Sequence, residues 1–276
     1  MRAVLVEKLR KRPVQHKFDH GHALVLAGGA GRTGAARLAA LAALRMGAGL
    51  VTLGAPGSSL MECAAQSTAV MCRRCEDAEG LRGLLDDERI NALCLGPGLG
   101  VTRAKELLPV AIGSGRPLVL DADALTALAR DDVLFRTLHG HTLLTPHGGE
   151  FGRLFPDLNG SFDEGRSKVD VTREAAGRAR CVVLLKGAET VIAEPGGKVV
   201  MNTSTDEAAA PWLATAGSGD VLAGFIVGLL ARGFDPLPAA EAGAWLHAQC
   251  ARAFGPGLIA EDLPEQVPGV FRKLGL

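Results

Sequence analysis

The chain of 276 residues is 47% hydrophobic and 22% charged, enough apolar material for a large core, and it reads as a single domain over residues 1–276. Thirty basic residues balance thirty acidic ones, and no long basic cluster follows KLRKR near the start, so no electrostatic footprint for nucleic acid stands out. With 36 Gly, no Tyr and 4% aromatics, the composition suits an α/β enzyme of small molecules rather than an all-β sandwich.

The opening MRAVLVEKLRKRPVQHK lacks the uninterrupted apolar core and small-residue cleavage site of a secretory signal. No charge-free apolar stretch approaches the ~20 residues of a membrane-spanning helix. A cytoplasmic protein without membrane contact is expected. HALVLAGG (22–29) is a short apolar run closing in glycines, and GAARLAALAALRMGAG (34–49) follows with helical spacing and a glycine stop. LVTLGAP (50–56), INALCLGPG (90–98), PLVLDAD (117–123), TLLTPH (142–147) and CVVLLKG (181–187) are further buried-strand candidates, mostly separated by helical stretches. KGAETVIAEPGGKVVMN (186–202) reads as a strand, a Pro-Gly-Gly turn and a returning strand, an antiparallel edge hairpin. The alternation predicts a doubly wound, mainly parallel sheet flanked by helices, with ligands gathering beyond the carboxyl ends of the strands.

Cysteines at 63, 72, 75, 94, 181 and 250 form no disulfide framework. The close pair in CRRC (72–75) lacks a second pair or histidines at zinc-ligand spacing, so ordinary reduced thiols are the better reading.

The unusual residues cluster in the strand-end loops. GGAGRTG holds Gly29-x-Gly31-x-x-Gly34 between a strand and a helix, the context of the dinucleotide-binding fingerprint, which makes an NAD-dependent oxidoreductase a rival reading. That fingerprint also wants an acid at the end of the second strand, and LVTLGAPGS has none. A tight strand-to-helix turn explains the same glycines with no ligand. AGSGD (216–220) precedes VLAGFIVGLLARG. Its glycines let successive backbone N–H groups face one point at a helix start, a site for a transferring phosphoryl group. Asp220 is there either as a general base for a hydroxyl proton or as a simple cap. TPHGGE supplies His147 and Glu150, the latter placed to hold Mg²⁺ through water. LDADAL offers Asp121 and Asp123, one of which is expected to cap a helix beginning at Ala124.

Together these segments resemble the ribokinase-like family, and within it the ADP- or ATP-dependent NAD(P)H-hydrate dehydratases. The match runs through GRTGAARLAALAALRMGAGLVTLGAP, GPGLG, LDADAL, LTPHGGEFGRL, LLKGAETVIA and ATAGSGDVLAGFIVGLLARG in family order, from about residue 20 to 250. Vitamin-precursor kinases of the superfamily usually show Asn where this chain has His147. The resemblance implies a lyase that phosphorylates the C6 hydroxyl of the S epimer of hydrated NADH or NADPH, eliminates phosphate and restores the dihydronicotinamide, with ADP as the expected donor and AMP released, ATP being the donor in eukaryotic members and the sequence itself not deciding between them. By position, Asp220 is the base, and Gly217, Ser218 and Gly219 form the anion hole. Ala35, Gly100, His147 and Asp220 bind the hydrate, and Glu150 is the metal-associated acid. Lys186, Gly187, Ala188, Glu189, Thr190 and Gly219 bind the adenine nucleotide. The chain departs from the family pattern at Glu189, where histidine is common, and in the long loop NTSTDEAAAPWLA (202–214). A homotetramer, and a separate epimerase rather than a fused one, are the expected partners. A small-molecule kinase and a non-catalytic nucleotide-binding module are the alternatives on the same fold; a pure binder needs the glycines of AGSGD but not its acid.

Overall fold

The computed structural model describes residues 2–160, 165–203 and 210–276. Helix α1 (Arg2–Leu9) precedes β1 (His22–Leu26), α2 (Gly34–Arg45) and β2 (Leu50–Ala55). Next come α3 (Gly57–Ala65), β3 (Met71–Arg74), α4 (Ala78–Leu85) and β4 (Ile90–Leu95). The middle of the chain holds α5 (Val101–Gly113), β5 (Leu118–Leu120), α6 (Ala122–Leu128), α7 (Asp132–Phe135) and β6 (Thr142–Leu144). There follow α8 (Gly148–Leu154), α9 (Pro156–Gly160), α10 (Lys168–Ala179), β7 (Val182–Leu185) and the hairpin β8 (Glu189–Ala193) and β9 (Val199–Thr203). Three helices close the fold: α11 (Ser218–Ala231), α12 (Pro236–Phe254) and α13 (Asp262–Lys273).

The strands form one nine-stranded sheet in the order β3-β2-β1-β4-β5-β6-β7-β8-β9. Neighbours from β3 to β7 are parallel, and the β7–β8 and β8–β9 pairs are antiparallel, as the expected edge hairpin requires. The sequence reading missed α1 and β3. Leu5 and Leu9 of α1 are buried in the core, so that helix is docked. Strand β3 is an edge strand whose residues are mostly exposed, so MCRR carries neither a buried run nor a clean alternation.

Because strand side chains alternate in direction, Ala23 and Val25 enter one core with α2 and α11, while Leu24 and Leu26 enter the other with α5 and α6. Helix α11 is buried continuously from Val221 to Ala231, which accounts for its unbroken apolar composition. It lies close against α2. A Cβ at Gly224 would stand 2.3 Å from the Ala39 carbonyl oxygen, and one at Gly228 2.7 Å from that of Ala43. Equal steps of four residues along both helices mean that α2 and α11 run parallel and in register. Their N-termini therefore open side by side.

The chain leaves β1 for β2 and β3 on one side and returns to β4 on the other. This order reverses between β1 and β4, and crevices at such switch points hold ligands in open α/β sheets. Among the described residues, no helix is long and apolar enough to cross a membrane.

Candidate active site

The loop entering α11 ends at Gly217, whose φ is +86°. A side chain there would be strained, and its Cβ would lie 2.8 Å from both Ala260 Cβ and Leu38 Cδ1. Only glycine meets both conditions. The amides that open a helix have no carbonyl one turn back, so the N–H groups of Gly219 and Asp220 are directed at the space before the helix, while the Ser218 N–H is donated to the Thr215 carbonyl at 3.4 Å. There they and the helix dipole can hold an anion.

Asp220 occupies the first turn of α11. Burial, reinforced by the Asp121 carboxylate, pushes its pKa up to about 6, against the attraction of Lys186. The Lys186 ammonium lies 2.7 Å from Asp121 Oδ1 and 3.9 Å from Glu150 Oε2. Burial alone would lower the Lys186 pKa, but Asp121, Glu150 and Asp220 outweigh it and hold the lysine charged above its ordinary range. The expected cap is not found: α6 starts at Ala122, and neither carboxylate serves its N-terminus. Asp121 pairs with Lys186, a charged partner stronger than a cap, and Asp123 accepts the Gly100 N–H at 2.7 Å.

His147 and Glu150 form a reciprocal capping box at the start of α8. His147 Nδ1 accepts the Gly149 N–H at 3.0 Å, so the neutral ring carries its proton on Nε2, 3.5 Å from Glu150 Oε1. Glu150 Oε2 in turn accepts the His147 N–H at 2.8 Å. Among the described residues no cluster of three His, Cys, Asp or Glu is arranged to hold a metal directly. This donor set fits a hydrated Mg²⁺ shared with phosphate oxygens, since Mg²⁺ keeps much of its water and takes one or two carboxylates.

A cavity of about 560 Å³ opens in front of α11, lined by His147, Lys186, Gly187, Ala188, Thr190, Ser218 and Gly219, with Asn202 and Leu213 on its far wall. The segment from 186 to 190 is braced by Lys186 N–H to the Pro146 carbonyl at 2.9 Å and Thr190 Oγ1 to the Gly187 carbonyl at 3.0 Å. Glu189 is exposed and does not line the cavity. Lys168 donates to the Lys186 and Glu189 carbonyls and so ties α10 to this segment. Of the unusual loop 202–214, residues 204–209 lie outside the described residues.

A second cavity of about 400 Å³, lined by Arg32, Gly100 and Arg103, opens between the loops that follow β1 and β4. Ala35 is half-buried in the first turn of α2, and a Cβ built on Gly98 would meet its Cβ at 3.3 Å. Asp123 joins the two regions, since it holds Gly100 and its charge also raises the Asp220 pKa. The structure thus brings Asp220, Gly217, Ser218, Gly219, Lys186, Gly187, Ala188, Thr190, His147 and Glu150 together, and sets Gly100 and Ala35 on the adjoining switch-point side. Sequence reasoning missed Lys168 and His247, isolated residues that belong to no motif. Cys72 lies on the edge strand and Cys75 beside it, and burial raises both thiols, the opposite of an activated thiolate.

The family described as NAD(P)H-hydrate dehydratase matches residues 23–265. A bifunctional NAD(P)H-hydrate repair enzyme of Moorella thermoacetica is 39% identical, over 96% of this chain and 52% of that protein. One from Gloeobacter violaceus is 38% identical, over 87% and 46%. The chain thus spans about half the length of these curated relatives. The ADP/ATP-dependent NAD(P)H-hydrate dehydratase of Bacillus subtilis, co-crystallised with ATP/Mg²⁺, superposes with a TM-score of 0.82 at 28% identity, covering 99% of this chain and 97% of that one. A hydroxyethylthiazole kinase from Pyrococcus horikoshii, at 14% identity and a TM-score of 0.60, shares the fold.

Proposed function

The chain belongs to the NAD(P)H-hydrate dehydratase family, and from that membership we propose that it returns the S epimer of hydrated NADH or NADPH to the dihydronicotinamide, using ADP and releasing AMP and phosphate. The observation that carries this reading is Asp220, a carboxylate with its pKa raised to about 6 at the glycine-opened head of α11, facing Lys186 and Asp121. A base is most effective with a pKa near the working pH, and at pH 7 this group is mostly ionised and able to accept a proton.

In the proposed reaction Asp220 takes the proton of the substrate's C6 hydroxyl as that oxygen attacks the terminal phosphorus of ADP. The first N–H groups of α11 hold the transferring phosphoryl, and AMP departs. The phosphorylated ring then loses phosphate from C6 and a proton from the neighbouring carbon, which restores the double bond. Lys186, kept charged by Asp121, neutralises phosphate oxygens, while Gly187, Ala188 and Thr190 shape the nucleotide cavity. Glu189 contributes through its backbone, which Lys168 holds. Gly100, Ala35 and His147 receive the hydrate. Glu150 would hold Mg²⁺ through water, and the ion when bound would supply charge neutralisation to the donor's phosphates.

The proposal extends to a single-domain cytoplasmic enzyme, a homotetramer, with an epimerase as the partner activity that converts the other hydrate epimer. Hydrated NADH mixed with protein, Mg²⁺ and either ADP or ATP tests it directly. Dihydronicotinamide absorbance should return only with a donor present. Release of a stable phosphorylated product with no return of absorbance would replace the dehydratase by a kinase.

A further inference from the structure

His247 is a buried histidine on α12 that the reaction above does not use. Its side chain reaches across to the first residue of α11. Nε2 lies 2.9 Å from the Ser218 carbonyl oxygen and 3.3 Å from Ser218 Oγ. A carbonyl can only accept, so Nε2 carries the ring proton, and the neutral ring leaves Nδ1 bare. The ring is fixed from the side by Phe225 of α11, edge to face, with centroids 6.1 Å apart and planes at 85°. His247 also lines the larger cavity, beside Ala244 and Ala248 of its own helix.

The geometry of one peptide gives this contact its meaning. In a planar trans peptide the C=O and the following N–H point in opposite directions. Whatever fixes the Ser218 carbonyl therefore fixes the direction of the Gly219 N–H. We propose that His247 is a positioning residue for phosphoryl transfer: by donating Nε2–H to the Ser218 carbonyl, it sets the Ser218–Gly219 peptide so that the Gly219 N–H faces the anion at the head of α11. The inference rests on the reading of Gly217–Asp220 as the anion site.

The ring is suited to this duty because it does not change charge in the working range. Burial pushes its pKa down to about 4, with the nearby Lys186 charge acting in the same direction against the Ser218 hydrogen bond. The donor is thus present at every pH where the enzyme would act. A protonated ring would instead add a positive charge beside Lys186.

His247→Phe, which fills the space without a donor, and His247→Gln, whose amide keeps one, separate this role from the others. Measurements are kcat and KM for ADP in hydrate turnover, ADP affinity by calorimetry, and the pH–rate profile. Loss of a preorganised anion-hole donor costs about 10²–10³-fold in kcat, and a donor misdirected rather than removed about 10–100-fold. His247→Phe should therefore lose about 10–100-fold in kcat and bind ADP several-fold more weakly. His247→Gln should recover to within about fivefold of the parent, with the same pH profile. Wild-type kcat and ADP affinity in a folded His247→Phe, at any melting temperature, would reduce His247 to a packing residue. A His247→Gln as impaired as His247→Phe, with one limb of the pH profile gone, would make it a proton-transfer group. Should His247→Phe not fold, His247→Asn, with its shorter amide, takes its place under the same criteria. Were the parent to bind ADP but not turn over hydrate, the dehydratase reading would fail while the calorimetric comparison still judged His247.

Discussion

Replacing Asp220 by Asn is expected to make the protein more stable and nearly inactive at once. The carboxyl pKa rises from 3.8 to about 6 on folding, mainly through burial. Between those values the folded chain retains a proton that the unfolded chain has released, so the stability contributed by this group is lost as pH rises from about 4 to about 6. At 1.36 kcal/mol per pKa unit the loss reaches at most about 3 kcal/mol above pH 6. The favourable end of α11 returns about 0.3–1 kcal/mol to the carboxylate. Asparagine keeps the shape, has no charge to bury and should gain about 2 kcal/mol at pH 8, or roughly 4–8 °C in Tm for a chain of this size. The advantage should shrink through the pH 6 to 4 window and vanish below it. Turnover should fall by roughly 10²–10⁴-fold, the worth of a positioned general base, with ADP affinity little changed. Calorimetric melts from pH 4 to 8 beside steady-state kinetics on the same preparation make the measurement. A near-parental rate would refute the base. An inactive variant with no pH-dependent stabilisation would refute the burial argument that sets the pKa.

Glu150→Gln keeps an acceptor for the His147 N–H; it should shift the Mg²⁺ titration of turnover strongly while leaving hydrate affinity near parental, and an unchanged titration would remove Glu150 from the metal. ADP should support turnover at least as well as ATP, and paired rates with the two donors decide it, strong turnover with ATP and none with ADP being the refuting result. Gly217→Ala should destabilise the fold by about 3 kcal/mol, because it combines a strained backbone with a methyl group overlapping Leu38 and Ala260, and chemical denaturation measures the loss. Cys72→Ser combined with Cys75→Ser should leave kcat and KM unchanged, and a loss of activity would revive a redox or metal role for the pair.

The parallel sheet was legible because β1, β2, β4 and β7 are apolar runs closed by glycine, proline or polar residues, and burial on both faces demands such runs. Edge strand β3 was not, since one open side relaxes that demand. At the site, the glycines and Asp220 announced themselves by their setting against an apolar helix. The partner of Asp121 did not: a carboxylate at a helix start reads as a cap, and only the fold brings Lys186 from 65 residues away to claim it. Lys168 and His247 act on backbone carbonyls that any residue could supply, so the positions they serve leave no mark in the sequence.

The seam between α2 and α11 works as a gauge block. One helix begins with Ala35, assigned to the hydrate, the other with the base and the anion hole, and the backbone contacts at Gly224 and Gly228 hold the two heads at a set spacing. A single added methyl along that seam would move one head relative to the other with no change to any residue touching a ligand. Ångström-scale misplacement can cost a reaction about 100-fold, so the seam, buried and chemically mute, sets the spacing of the site as well as the packing of the core. Enlarging Ala39, Ala43, Gly224 or Gly228 should therefore cost stability and turnover together, whereas substitutions at the carboxylates cost turnover alone.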